Sequence, residues 1–154
     1  MNPFENAGSS DWFSLLHAGT GTGGTNSGYG SKIPSIMFRP SDGKLIFYSA
    51  VNGNAMYSYE TGSSYSTGQW VSIEVSQLQN NLGDYTYSIT INGVVVHTVV
   101  NTQPQQFSNV KIYSGNDVDE PAPCWIRDVQ YTTMASRSGK YLFREVYHEY
   151  HSYF

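Results

Sequence analysis

The segment Tyr85–Val100 reads YTYSITI-NG-VVVHTVV, two strongly β-prone runs around Asn92-Gly93. β-Branched and aromatic side chains suit a pleated, half-buried strand. Asn-Gly tolerates the two positive φ angles of a two-residue type I′ turn. A chain carrying this segment must accommodate an antiparallel hairpin, and the rest of the sequence follows the same grammar. A second hairpin is expected where KLIFYSAV (44–51) and AMYSYET (55–61) flank Asn52-Gly53-Asn54. In QWVSIEVSQL (69–78), Trp70, Ser72, Glu74 and Ser76 share one face and Val71, Ile73, Val75 and Gln77 the other; this is the period of a strand. Further strands are expected at 11–17, 33–40, 107–115 and 124–132. They are separated by a Gly/Thr/Ser loop at 18–31, a Gly/Ser/Tyr loop at 62–68, a polar loop at 101–106 and an acidic loop at 116–123. About nine or ten short strands at regular spacing predict an all-β antiparallel sandwich or barrel. No helical pattern and no internal repeat is visible.

With 154 residues the chain is read as a single domain, 1–154, long enough to bury a core. Charged residues are 13%, about half the usual share, while aromatics reach 15% with 13 tyrosines. The net charge of −4 and the absence of a Lys/Arg cluster argue against nucleic acid as partner. Cys124 is the single cysteine, so no internal disulfide can form. Apolar runs such as Val94–Val96 fall far short of the roughly 20 residues of a membrane helix, and no membrane insertion is expected. No signal peptide is visible.

The tail Lys140–Phe154, KYLFREVYHEYHSYF, reads as an aromatic-rich strand. Joined to the head, MNPFENAGSSDWFSLL, it gives strand, loop, strand. Met134–Gly139 just before it looks like an ordinary protein start. These features predict a circular permutation in which residues 132–139 link former termini. The alternative is an ordinary C-terminal strand or a disordered extension, against which the aromatic content and alternating charge of the tail argue.

In chain order, YGSKIPSIMF, SAVNGN, GQWVSIEVSQ, YTYSITINGVVVHTVVN, FSNVKIYSG and WIRDVQY resemble the concanavalin A-like, laminin G-like jelly-roll domains of marine invertebrates over residues 11–131. The family's first strand is missing at the head, and YHEYHSYF resembles it. The resemblance implies a jelly-roll β-sandwich and an extracellular protein. Its motifs belong to the scaffold and say little about the ligand.

Sugars are bound by stacking on aromatic rings and by hydrogen bonds from amides, carboxylates and main chain. The candidate ligand residues are Tyr29, Asn52, Asn54, Tyr57, Tyr59, Tyr113 and Asn116, in loops 23–30, 52–59 and 113–120. For any single tyrosine, cover of a solvated sheet is the competing reading. Trp70 and Trp125 are expected in the core. Asn116-Asp117-Val118-Asp119-Glu120 packs hard oxygen ligands into one loop, so Asp117, Asp119 and Glu120 are candidate ligands for Ca²⁺, which laminin G-like relatives often carry on the rim. The loop is no EF-hand, and a solvated acidic turn is the alternative. Catalysis is not expected: the E-x-D-x-E strand motif of the superfamily's glucanases is absent. Glu145 and Glu149, on one strand face, would stand about 13 Å apart, too far for a retaining pair. His17, His97, His148 and His151 read as packed or surface residues, and Cys124 as an inert thiol.

The expected function is a non-catalytic, lectin-like carbohydrate-binding or adhesion module, assisted by calcium, with a glycan or glycoprotein as partner. Two other readings stand: a laminin G-like protein-interaction or structural module that self-associates as a homodimer, and a binder of a small hydrophobic ligand between the sheets.

Overall fold

The computed structural model describes residues 12–21, 28–66, 68–116, 119, 121–133 and 141–144. Among them are ten strands and no helix: β1 (Phe13–Gly19), β2 (Ser35–Arg39), β3 (Lys44–Val51), β4 (Asn54–Glu60), β5 (Ile73–Gln79), β6 (Tyr85–Ile91), β7 (Val94–Asn101), β8 (Lys111–Ser114), β9 (Gln130–Thr133) and β10 (Tyr141–Arg144). They form two five-stranded sheets with strand orders β4-β3-β2-β1-β8 and β7-β6-β5-β10-β9. Every pairing between these ten strands is antiparallel. The sheets face each other as a β-sandwich. One apolar cluster joins Leu16, Ile36 and Phe47 of the first sheet to Ile73, Val75 and Ile89 of the second.

Both Asn-Gly hairpins form as their sequence demands. The two-residue turns carry φ of 55° and 75° at Asn52 and Gly53, and 50° and 78° at Asn92 and Gly93. Positive φ at both central positions is the type I′ signature.

Of the expected strands that come out shorter than their sequence suggested, three do so for a local backbone reason visible in the structure. Asn109 adopts φ 55°, which interrupts 107–115 and leaves β8 to begin at Lys111. In 124–132, Asp128 adopts φ 54°, and only Gln130–Thr133 joins the ladder. Just upstream, Pro121 and Pro123 have no N–H to give. The expected strand at 69–78 starts later, at Ile73. Ser72 donates its N–H to Asn92 Oδ1 at 2.9 Å, and its carbonyl accepts the Asn92 N–H at 2.9 Å, so it serves the neighbouring turn.

Trp125 corrects an expectation. It is 59% exposed, not part of the core. From Ala122 to Arg127 burial alternates residue by residue. Ala122, Cys124 and Ile126 pack against the core, which turns Trp125 outward. Trp70 is half-buried beneath the Arg127 guanidinium, whose carbon lies 3.9 Å from the ring centroid.

Within the tail, Tyr141–Arg144 lies between β5 and β9 and pairs with both. Residues 145–154 lie outside the described residues, as do 134–139 of the expected linker. Thr132 and Thr133, expected in that linker, belong to β9.

Candidate functional site

Cross-strand register decides which side chains share a face. In the first sheet, Leu16, Ile36, Phe47 and Tyr59 form one row and point to the core. The adjacent row, Tyr113–His17–Ser35–Tyr48–Ser58, crosses all five strands in register and points the other way. The Tyr113 ring sits 6.4 Å from that of His17. The centre of this row is buried, with His17 at 1% and Ser35 at 0% exposure, whereas Tyr113 at one end is 38% exposed and Ser58 at the other is open. Ser14, on the same outer face, is also buried. Buried hydroxyls ordinarily find a partner, yet Ser14 Oγ and Ser35 Oγ meet none among the described residues.

Tyr48 is the residue of this face that the sequence reading missed. Its signal was available: it is out of phase with Leu45 and Phe47, both buried, in the alternation of KLIFYSAV. The Lys32 ammonium stands 5.8 Å above its ring and donates to Met56 Sδ at 3.2 Å. Burial, then the carboxylates of Asp119 and Glu60, push the Tyr48 phenol above its ordinary pKa. Asp119 therefore lies within electrostatic reach of the face. Its backbone N–H donates to Asn116 Oδ1 at 2.6 Å, and its Oδ2 accepts from Asn116 Nδ2 at 2.8 Å. Thus Tyr113, Asn116 and Asp119, three of the expected site residues, border one sheet face with Tyr48.

The other expected residues are engaged elsewhere. Tyr57 and Tyr59 turn inward across the β4–β7 side of the sandwich. Tyr59 stacks on His97 at 4.3 Å and 16°, and its hydroxyl donates to the Val96 carbonyl at 2.9 Å. The Tyr57 hydroxyl and His97 Nε2 are hydrogen-bonded at 2.8 Å, and Tyr87 meets Tyr57 edge-on. Burial holds the His97 pKa below its ordinary value.

Tyr29 and Asn52 gather at one end of the sandwich around residues 101–107. The Tyr29 hydroxyl donates to the Gln103 carbonyl at 3.0 Å, and its ring contacts Phe107 at 5.9 Å. Asn52 Oδ1 accepts from the Thr102 N–H at 2.7 Å, while the Asn52 N–H donates to Asn101 Oδ1 at 2.9 Å. Asn101, buried to 2%, also donates through Nδ2 to Gln77 Oε1. Asn54 is exposed and accepts from the Met56 N–H at 2.9 Å.

Of the expected calcium ligands, Asp117 and Glu120 lie outside the described residues. Asn116 and Asp119 alone offer too few oxygens for Ca²⁺, which takes six to eight. No group of three or more His, Cys, Asp or Glu side chains able to hold a metal occurs among the described residues. Two carboxylates that share a cation, Asp42 and Glu60, are clamped by Arg39 and Lys44. Arg39 grips Asp42 with two bonds of 2.9 and 2.6 Å and reaches Glu60 at 3.0 Å, and Lys44 reaches Glu60 at 3.1 Å. The Arg39 hydrogen bond holds the Asp42 carboxyl below its usual range. Between the sheets, Ser49, Val75, Gln77, Tyr87 and Phe107 line a cavity of about 30 Å³, the size of one or two waters. Burial pushes the Cys124 thiol up to about 11, which keeps it protonated and unreactive.

No family model, no curated protein and no solved structure matches this chain.

Proposed function

We propose that this chain is a non-catalytic glycan-binding or adhesion module whose ligand face is the outer surface of the β4-β3-β2-β1-β8 sheet. The observation that carries the reading is the in-register row Tyr113–His17–Ser35–Tyr48–Ser58. A sugar needs ring faces for its C–H surfaces and hydroxyl or amide groups for its own hydroxyls. Tyr48 and Tyr113 provide the first. Ser58 and Asn116 provide the second. Tyr48 and Tyr113 are three strand spacings apart, about 14 Å, a span that favours an oligosaccharide over a single ring. The neutralised Asp42–Glu60 cluster suits a structural clamp better than an acid/base pair. The inter-sheet cavity has the volume of water and not of a hydrophobic ligand.

Calcium assistance at 116–120 belongs to the proposal as its metal arm. A glycan array probed in calcium and again in chelator tests both parts. Hits that vanish in chelator support the metal with the lectin, and hits that persist retain the lectin alone.

The finer fold assignment is also our own reading: a concanavalin A-like jelly roll, circularly permuted. Its support is that β10, last of the described strands, is inserted between β5 and β9 and not added at an edge. In the unpermuted order it would be the first strand beside the last.

A second reading, self-association, is favoured by one observation. Among the described residues β7 is an edge strand, VVVHTVVN, with no Asp, Glu, Lys or Arg and no proline, and its Val94, Val95 and Val100 are 64%, 59% and 51% exposed. Such an edge is a template for pairing with another chain. Light scattering of the protein and of Val95→Lys tests it: a dimer that becomes monomeric in the variant supports pairing through β7.

A further inference from the structure

Among the described strands, β4 and β7 are edges of opposite sheets. They meet along one side of the sandwich through Tyr57 and Tyr59 of β4 and Val96 and His97 of β7. Tyr57 and His97 are both half-buried there, which keeps the Tyr57 ring near the surface.

The Tyr57 hydroxyl and His97 Nε2 stand 2.8 Å apart. Burial holds the His97 pKa below its ordinary 6.5, so at pH 7 the ring is neutral and one nitrogen carries a free lone pair. A phenol O–H is a stronger acid than the N–H of a neutral imidazole, so the hydroxyl donates and Nε2 accepts. The other face of the matter is the imidazolium that forms if the proton crosses. His97 is stacked on the Tyr59 ring at 4.3 Å and 16°, and the face of an aromatic ring attracts a cation placed over it.

A basic partner separates Tyr57 from the other tyrosines whose hydroxyl bonds are described. Tyr29 and Tyr59 donate to the carbonyls of Gln103 and Val96, and Tyr87 is bonded to the Ser49 hydroxyl at 2.8 Å. A carbonyl or an alcohol does not hold a proton at neutral pH, whereas imidazole does. The distinction matters for oxidation. A phenol that loses an electron becomes a strong acid at its O–H, and a base within hydrogen-bond reach takes that proton as the electron leaves. Tyr87 meets Tyr57 edge-on at 6.2 Å, but with only an alcohol beside it the radical stays on Tyr57.

We propose that Tyr57 is a one-electron redox site with His97 as its built-in base. A one-electron oxidant, of the ferryl-haem or metal(III)-complex class, takes an electron from the Tyr57 ring while the hydroxyl proton passes to His97 Nε2. The oxidant is reduced by one electron, and the products in the protein are a neutral tyrosyl radical and an imidazolium. Return of one electron to the ring and of the proton to the hydroxyl restores the pair. This activity goes beyond the glycan-binding reading and does not depend on it.

The test uses the full chain at pH 7 with photogenerated ruthenium(III) tris-bipyridine as oxidant. Transient absorption and freeze-quench electron paramagnetic resonance separate tyrosyl from tryptophanyl radicals. The parent is expected to give a fast tyrosyl phase that slows in heavy water, because proton and electron leave together. Tyr57→Phe keeps the ring and its packing and is expected to lower the amplitude of that phase at least tenfold. His97→Gln is expected to slow it at least tenfold. Should His97→Gln fail to keep the parent's far-UV dichroism, the heavy-water effect and Tyr57→Phe carry the test. A parent with no fast tyrosyl phase, or a phase of equal rate and amplitude in Tyr57→Phe, would overturn the site. A phase indifferent to both heavy water and a folded His97→Gln would overturn the role of His97 and with it the proposal.

Discussion

Asn101 is buried to 2%, yet its amide is spent at both ends: Oδ1 accepts from Asn52 and Gln103, and Nδ2 donates to Gln77. It thereby ties the β3–β4 turn to the end of β7 and to β5. Asn101→Ala strands these partners, and a buried group left without its bond costs about 1–3 kcal/mol. Chemical denaturation should report a loss of about 2 kcal/mol, whereas Asn54→Ala, on an exposed position, should change little. His97 makes the second residue-scale prediction. Burial depresses its pKa, so the unfolded chain takes up the proton more readily than the folded one. Stability then rises with pH through this group and falls as pH drops below its ordinary value of 6.5. Protonation would also desolvate a charge among Tyr57, Tyr59 and Tyr87. Melting temperature should fall between about pH 7 and pH 5, and His97→Phe should flatten that slope. Asp42, depressed by Arg39, acts in a separate window, its contribution being lost only below its ordinary 3.8.

At the scale of elements, the hairpins test how far local chemistry sets the fold. Gly93 has φ 78° and open space around the position a Cβ would take. Gly93→Ala thus isolates backbone strain from packing. It should cost about 1 kcal/mol in denaturant unfolding with no change of fold. Both hairpins were legible in the sequence because Asn-Gly between β-branched runs permits few other outcomes, and the alternation of 69–78 put Val71, Ile73, Val75 and Gln77, all buried, on one face. The ends of β8 and β9 were not legible: the left-handed φ of Asn109 and Asp128 is adopted by residue types that also occur in regular strands. Trp125 was misread because an indole was weighed by hydrophobicity alone, whereas the phase of Ala122, Cys124 and Ile126 decides which side goes in. Tyr57 and Tyr59 were drawn to a ligand site for their rings, but strand phase sends them to His97. Tyr48, one step out of phase with Phe47, was overlooked for want of the cross-strand register that sequence does not supply.

For the whole molecule, the permuted jelly-roll reading makes a direct prediction. A rearranged chain that begins at Met134, joins Phe154 to Met1 and ends at Thr133 cuts the chain between β9 and β10. Chains commonly tolerate such cuts where the joined ends are close. It should fold with the parent's far-UV dichroism and a similar melting temperature; a chain that fails to fold would count against the permutation. The proposed function places the ligand on the outer face of the first sheet, and the most direct measurement is a glycan array of labelled protein and of Tyr48→Ala, each in calcium and in chelator. The account predicts discrete hits for the parent that fall at least about fivefold in the variant, since loss of a stacking ring removes on the order of 1–3 kcal/mol. A blank array, or hits that Tyr48→Ala leaves unchanged, would contradict it.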